Sequence, residues 1–415
     1  MDHLQNLPLE LLINVCLNVD SPKDLKPLYL ASPVAFRHRT IINNAFMRQQ
    51  LPGQLLNDAL TLIHFPRPDG PPPLGYPPLK VRLRHFKQWA SRQFPNPFEP
   101  QNKAEFLALT RLCERLDYYM ADFVSKATSL FPPREYLYVP SPNTPATAPR
   151  RVAAALKLSR LNPAESIRLR RAFIEYELIC KFGKPLGAAF ARRRTTSPCQ
   201  TEARQCVFDY VSSIYGAVCA HFSAEFHPTR PSDLCYPDSV FFDPYAYADD
   251  WGHHRVELPF RLASHGLDLI TAVLNLPKKR SQANNECIMS MTESDWEGFL
   301  DRLAHASEIQ GDRYFTDRAA CPWTSDDFSL DDWLRAPGLP RTLVAQIPKK
   351  GVFSGHHCGL DCGGDYVRNL RQRAWVFFDD DRLYALPQST RLPEIRIPAS
   401  VPIRPTLRNY GYKPL

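Results

Sequence analysis

Residues 7–37 read LPLELLINVCLNVDSPKDLKPLYLASPVAFR, and this stretch decides the fold of the N-terminal part of the chain. Pro8 suits the start of a helix, where its missing N–H costs nothing, and Glu10 follows in the turn where the helix dipole favours negative charge. The apolar residues behind them share one broad helical face: Leu11, Leu12, Val15, Cys16 and Val19. The sequence therefore predicts a helix from Pro8 to about Asn18.

Two further short helices are predicted behind the first. The segment 21–24 can open a second helix that carries Leu25, Leu28, Leu30 and Ala31, and Ser32-Pro33 can open a third that carries Val34, Phe36, Ile41, Ile42 and Phe46. If the second helix starts at Pro22, Pro27 lies inside it at a cost of about 3 kcal/mol. A start at Lys26 is the alternative that avoids this cost. Three short helices cannot cover the apolar face of the first one, so part of that face must meet a partner or the rest of the chain.

The order of residues in this stretch resembles the F-box family. The resemblance is carried by Leu7, Pro8, Glu10, Leu11, Val15, Asp24, Leu25, Leu28, Ala31 and Phe36-Arg37. Members of that family dock on a Skp-type adaptor bound to the cullin scaffold of a cullin-RING ubiquitin ligase. The resemblance implies that residues 1–48 form an F-box-like domain whose adaptor-binding residues are Leu7, Pro8, Glu10, Leu11, Leu12, Val15, Leu25, Leu28, Ala31 and Phe36.

Residues further along the chain extend the likeness to a group of filamentous-fungal F-box-like proteins. They are Phe46, Leu51-Pro52, Asp58-Ala59, Ile63, Arg170 to Phe173 with Tyr176-Glu177, and Arg373 to Asp379. This wider resemblance implies a fungal source but no chemistry. Together the resemblances imply a non-catalytic adaptor subunit that presents an unknown protein substrate for ubiquitination.

The composition favours a helical protein with many short elements. The chain has 415 residues, 44% of them hydrophobic, and 40 prolines that break long elements. We expect a helical extension at 49–65, a proline-rich linker at 66–78, a helical segment at 79–131, a second proline-rich linker at 132–149 and a helical body at 150–415. The sequence contains no repeat of fixed period.

Apolar spacing and capping signals locate the helices of the body. A helix is predicted over 101–126, and Asn162-Pro163 and Ser197-Pro198 each announce another, the first of them enclosed by neighbours up to Phe182. Further helices are predicted over 257–276 and 294–309. Trp375 to Phe378 and Leu383 to Leu386 flank an acidic turn and predict a hairpin. The expected fold class is mainly α: a three-helix F-box-like module, an irregular helical body and a small C-terminal β-hairpin.

The net charge indicates which partners to expect, and the cysteine spacing indicates the redox state of the compartment. The formal charge of +8 is mild for this length and does not by itself indicate nucleic acid or membrane. The 11 cysteines lack the regular spacing of a disulfide framework, which favours a reducing compartment. No run approaches the roughly 18 to 20 apolar residues that a membrane span needs, so we expect a cytoplasmic or nuclear protein without membrane contact.

The chain has no motif typical of an enzyme or a nucleotide-binding protein. It contains no Gly-x-Ser-x-Gly elbow, no phosphate-binding loop and no dinucleotide fingerprint, so we expect no catalytic residue and no cofactor. The alternatives that remain are an interaction or structural protein whose F-box-like trio has lost adaptor binding, a basic helical nucleic-acid binder and, last, an unrecognised enzyme.

The nucleic-acid alternative depends on basic residues around two aromatic ones. Lys80, Arg82, Arg84, His85, Lys87 and Arg92 surround Phe86 and Trp89, and further basic runs occupy 192–194 and 278–280. Leu79, Leu83, Phe86 and Trp89 have helical spacing, which favours a core role for all four. Nucleic acid is therefore not the expected partner.

The cluster most similar to a metal site is His356-His357-Cys358 with Cys362, since imidazole and thiolate are zinc ligands. Its spacing is irregular and no second ligand pair follows, so we expect a glycine-rich loop and no bound metal. We therefore predict that metal analysis of the purified protein finds no zinc. About one equivalent of zinc per chain, with loss of stability on chelation, would contradict this prediction.

Overall fold

The computed structural model describes residues 4–19, 22–66, 77–129, 135–140, 156–183, 186–194, 198–222, 242, 258–274, 278–280, 287–289 and 371–378. The first seven α-helices are α1 (Leu9–Leu17), α2 (Pro22–Ala31), α3 (Pro33–Arg37), α4 (Arg39–Gln50), α5 (Gln54–Ile63), α6 (Leu79–Ser91) and α7 (Lys103–Ala127). They are followed by α8 (Pro163–Phe182), α9 (Leu186–Arg193), α10 (Pro198–Phe222), α11 (Leu258–Ala263) and α12 (Leu267–Leu274). The described part of the chain is thus mainly helical, as predicted.

Two short strands form a small antiparallel pair after the helices. β1 (Lys278–Arg280) pairs with β2 (Cys287–Met289), and Lys279 lies opposite Ile288. The basic run at 278–280 is therefore part of a strand.

Two helix starts match the capping signals of the sequence. The Ser32 hydroxyl accepts a hydrogen bond from the Ala35 N–H at 3.2 Å, in front of a helix that begins with Pro33. At α8, the Asn162 side chain accepts from the Glu165 N–H, and the Glu165 carboxylate accepts from the Asn162 N–H, both at 2.9 Å. Each side chain satisfies an N–H that the first helical turn leaves unpaired.

The N-terminal region contains four helices where three were predicted. The second begins at Pro22 and keeps Pro27 inside, so the start at Lys26 is wrong. The third is divided into α3 and α4 at His38, whose N–H donates to the Val34 carbonyl while its own carbonyl accepts from the Ile42 N–H. One residue therefore closes α3 and opens α4. We call α1 to α4 the N-terminal unit.

The N-terminal unit has a core of its own. In it, α1 packs on α4 and α2 packs on α3. The buried apolar side chains are Leu12, Cys16, Leu25, Ala35, Ile42 and Phe46, and a separate and larger core fills the body. The helix α4 contributes to both, because Phe46 faces the first core and the adjacent Met47 faces the second, with its sulfur 3.7 Å from the Cys113 Sγ.

Helix α8 is the central element of the body. It packs against α5, α7, α9 and α10, and apolar side chains on opposite stripes of it, among them Phe173 and Ile174, are fully buried. The Phe173 ring packs edge-on between Phe123 of α7 and Tyr210 of α10, at 6.2 and 6.0 Å between ring centroids. The prediction of an enclosed helix is confirmed.

Part of the predicted second linker lies in the core. Within 135–140, the Tyr136 side chain is fully buried, and its hydroxyl donates to the Gln372 carbonyl at 2.7 Å. The Gln372 side chain in turn accepts from the Phe242 N–H and donates to its carbonyl, at 2.8 and 2.6 Å. The described end of this proline-rich stretch is therefore packed and not a solvated connection.

The predicted C-terminal hairpin is wrong at its first strand. Trp375–Phe377 forms a short 3-10 helix, and Phe377 packs edge-on against Phe123 at 6.0 Å. A run of apolar residues fits a buried turn as well as a buried strand, so periodicity could not separate the two. The other strand, Leu383 to Leu386, and the helix predicted over 294–309 lie outside the described residues.

Gly266 interrupts the helix that was predicted over 257–276. Its φ of +82° is left-handed, and α11 ends before it while α12 begins directly after it. The Glu177 carboxylate accepts a hydrogen bond from the Leu267 N–H at 2.5 Å and lies where a Cβ on Gly266 would stand. A glycine is thus required both by the backbone and by the buried carboxylate.

Among the helices of the described ranges, none is long and apolar enough to cross a membrane.

Two glycines with positive φ form a matched pair for a stability test. An alanine Cβ at Gly266 would lie 2.5 Å from the Glu177 Oε2, whereas one at Gly53, with φ +58°, would meet nothing within 4 Å. Gly53 has φ +58° and ψ −122°, a backbone conformation that L-residues rarely adopt, so we expect Gly53→Ala to lower the free energy of unfolding by about 1 to 3 kcal/mol, from backbone strain alone. Gly266→Ala should cost at least about 2 kcal/mol more, because it also displaces a buried carboxylate from its donor. Equal losses in denaturant unfolding would contradict this account.

Candidate functional site

Helix α1 carries more apolar side chains than its core can bury. Leu12 and Cys16 are 0% exposed and fill the core of the N-terminal unit. One position before each, Leu11 and Val15 are 50% and 47% exposed. Because residues four apart lie on the same helix face, these two side chains form an apolar stripe on the outer side of α1.

The predicted adaptor-binding residues divide into three groups by burial. Leu12 and Leu25 are core residues at 0% and 1% exposure, so their side chains do not reach the surface of the unit. Leu7 and Leu28 are half-buried against the same core. The other members are exposed: Pro8, Glu10, Leu11, Val15, Ala31 and Phe36.

Phe36 is a second exposed apolar anchor of the unit. Its ring is 51% exposed, and the Arg39 guanidinium lies 4.3 Å from the ring centroid. Leu30 and Ile41 are also exposed, at 80% and 46%, and the sequence analysis did not include them among the site residues. The sequence could have indicated their exposure, because each of these short helices contains more apolar side chains than the single stripe that it can bury.

Polar contacts fix the positions of these helices. The Tyr29 hydroxyl of α2 donates to the Asn43 Oδ1 of α4 at 2.7 Å. Burial, with a smaller contribution from nearby Cys16, raises the pKa of Tyr29 to about 12, so the phenol remains a neutral donor near neutral pH. Burial also raises the pKa of the Cys16 thiol, which keeps it protonated and poorly nucleophilic.

Burial suppresses ionisation of cysteine thiols in the body. Burial raises the pKa of Cys113 to about 11 and that of Cys219 to about 12, which suppresses the thiolate that a nucleophile needs. Within the same ranges, no group of three or more His, Cys, Asp or Glu side chains is placed to hold a metal ion. The histidines and cysteines at 356–362 lie outside them.

The basic helix α6 matches the sequence analysis in part. Phe86 and Trp89 are buried in the body core, as predicted, and the Trp89 indole N–H donates to the Asp58 carboxylate at 2.9 Å. Leu79 and Leu83 were also predicted to be core residues, but they are 51% and 39% exposed. The buried side chains of α6 are His85, Phe86 and Trp89, all in its second half, and both leucines lie in the first half of the helix, which the body core leaves partly uncovered.

No family model, curated protein or solved structure matches the chain. The exposed stripe on α1 is therefore interpreted from its own geometry.

Leu11 and Leu12 are adjacent leucines on opposite sides of the same helix and offer an internally controlled test. We expect Leu12→Ala to destabilise the N-terminal unit by about 2 to 5 kcal/mol, because it opens a cavity in a closed core. Leu11→Ala should change stability by no more than about 0.5 kcal/mol, since its side chain is half exposed. Hydrogen exchange of the α1 to α4 amides measures both. Loss of protection in Leu11→Ala equal to that in Leu12→Ala would contradict the assignment of the outer face.

Proposed function

We propose that the chain is an F-box adaptor subunit that docks on a Skp-type adaptor of a cullin-RING ubiquitin ligase through the outer face of α1. The observation that carries the proposal is the exposure of Leu11 and Val15 next to the buried Leu12 and Cys16. The apolar excess of α1 is available to a partner without unfolding any part of the unit.

A separate core supports a docking role over a purely structural one. If the N-terminal unit were only a cap on the body, its apolar residues would be expected to pack against the body. Neither Leu11 nor Val15 belongs to the body core or packs against it, and α4 links the two cores through the adjacent Phe46 and Met47. The unit thus presents an apolar face that its own folding does not use.

Partner docking explains the residue types on this face. An apolar stripe at the centre of an interface excludes water, and exposed aromatic side chains such as Phe36 are common anchors of binding energy. Glu10 and Arg39 lie beside the apolar residues in sequence and are exposed, as expected for the polar rim of such an interface. In this proposal the ubiquitin-transfer chemistry takes place on the partners, the body presents a protein substrate, and the complex acts in the cytoplasm or nucleus.

Charge substitution on the outer face of α1 tests the docking surface. In the full-length protein, Leu11→Asp with Val15→Asp should weaken binding to a purified Skp-type adaptor by about 100-fold or more, because two charges would have to be desolvated in an apolar contact. Fluorescence anisotropy with a labelled adaptor measures the affinity. Circular dichroism establishes that the variant retains its helices.

A matched control uses Leu107 on α7, which is 49% exposed and lies outside the N-terminal unit. Leu107→Asp should leave the affinity for the adaptor unchanged. Unaltered adaptor binding by a folded Leu11→Asp/Val15→Asp variant, or absence of binding by the unsubstituted chain, would overturn the docking assignment.

A further inference from the structure

Helix α6 presents a second exposed surface that adaptor docking does not use. From Leu79 to Arg92 the chain has five Lys or Arg residues and no acidic one. On α6, Lys80, Arg84 and Lys87 are exposed and lie three or four residues apart. They therefore share one face of the helix.

This face contradicts the rules that stabilise a helix. The first turn of α6 contains no acidic residue and instead carries Lys80, where the helix dipole disfavours positive charge. The pairs Lys80/Arg84 and Arg84/Lys87 place like charges at positions where they repel. Folding of α6 is explained by its other side, where Phe86 and Trp89 are buried. A surface that weakens its own helix points to a role in binding.

Helix α9 covers the inner side of α6. Phe190 packs against Trp89 at 4.8 Å between ring centroids, and the Arg193 guanidinium lies 5.3 Å from the centroid of Phe86. Arg193 and Arg192 are both exposed. The C-terminal end of α9 therefore lies against the aromatic side of α6.

The exposed basic side chains are not neutralised within the described residues. Lys80, Arg84, Lys87, Arg192 and Arg193 make no ion pair there. The acidic group next to Trp89 is Asp58, which is fully buried and already paired with Arg194 and the Trp89 indole. Arg82 is also occupied, since it donates to the Phe182 carbonyl at 2.6 Å.

Two exposed leucines decide the class of partner. Leu79 and Leu83 are four residues apart, beside Lys80 and Arg84, so apolar and basic side chains alternate on one exposed face. Single-stranded nucleic acid is usually held by exposed aromatic rings, and both aromatic rings of α6 are buried. A protein segment that carries acidic side chains and apolar side chains together would complement the whole face.

We propose that the surface formed by Leu79, Lys80, Leu83, Arg84 and Lys87 binds an acidic, leucine-bearing segment of a partner protein. We call this surface the basic face. If the proposed adaptor function holds, this segment belongs to the ubiquitination substrate. Only this assignment to the substrate rests on the proposed function. Binding itself requires only the basic face and a complementary charge.

The binding test uses the full-length protein and a fluorescein-labelled synthetic peptide of Glu and Leu at helical spacing. Anisotropy should show binding that weakens as salt rises from about 50 to about 200 mM, and a peptide with Gln in place of Glu should bind at least about tenfold more weakly. Lys80→Gln/Arg84→Gln/Lys87→Gln should lower the affinity about tenfold or more. The matched control Lys103→Gln/Arg111→Gln/Lys157→Gln removes the same charge from exposed positions elsewhere and should leave the affinity unchanged.

Leu79→Ser/Leu83→Ser separates a protein segment from other polyanions. It should weaken binding of the Glu/Leu peptide and leave its salt dependence unchanged, because the charged contacts remain. Tighter binding of single-stranded DNA or of phosphatidylserine vesicles than of the peptide, unaffected by this double substitution, would overturn the proposal. No peptide binding at the lower salt concentration, or an equal loss in the matched control, would also overturn it.

The two proposals fail independently. The Leu11→Asp/Val15→Asp variant has an intact basic face and should bind the peptide as tightly as the unsubstituted chain, without any adaptor in the assay. Adaptor binding without peptide binding would reject the basic face alone. Peptide binding without adaptor binding would reject the docking assignment and leave the basic face in place.

Discussion

The buried carboxylate of Glu177 is the constraint on which the packing of the body depends. Its side chain is fully buried, and a buried charge is tolerated only with partners. Those partners come from three helices: Arg115 of α7 at 4.0 Å, Lys181 of α8 at 3.4 Å and the Leu267 N–H at the start of α12. The three helices must therefore be in place together before this carboxylate is stabilised.

Asp268 completes the same ionic cluster. It pairs with both Arg115 and Lys181, and although burial opposes ionisation, these two cations lower its pKa to about 2. Burial raises the pKa of Glu177 at the same time, since Lys181 compensates the lost hydration only in part. The cluster thus combines one strongly ionised carboxylate near the surface with one that is costly to ionise inside. The Glu177 carboxylate, which is the inner of the two, occupies the space that a side chain at position 266 would need, and this explains the glycine there.

Other buried charged side chains also connect elements that are far apart in the sequence. Lys126 is almost fully buried and lies 2.8 Å from Asp122, which also accepts from the Tyr210 hydroxyl of α10 at 2.9 Å. Arg371 makes two hydrogen bonds to Glu202 at 2.7 and 2.9 Å. Because the loss of one partner leaves a buried charge, these contacts favour the arrangement in which α7, α10 and residues 371–372 are packed together. These contacts explain why a short segment near the C-terminus lies against α10.

Local signals were sufficient for most helix positions and insufficient for these contacts. The caps at Ser32 and Asn162 and the enclosed character of α8 were predicted because they depend on neighbouring residues. The break at Gly266, the burial of Tyr136 and the 3-10 helix at 375–377 depend on partners far along the chain, which spacing cannot reveal. On α1, the spacing marked a broad apolar face but could not tell that Leu12 is inside and Leu11 outside. That distinction required the position of α4.

Helices α1 and α6 depart from the usual amphipathic pattern in opposite ways. The outer side of α1 is too apolar for a solvent face, with Leu11 and Val15 about half exposed, whereas the outer side of α6 carries basic side chains without any acidic one to balance them. In both helices the inner side alone accounts for folding, through Leu12 and Cys16 in one and Phe86 and Trp89 in the other. Core packing therefore does not determine which residue types occupy the outer side of either helix. Their residue types are explained most directly by two partners of different chemistry, one recognised by apolar contact and the other by charge.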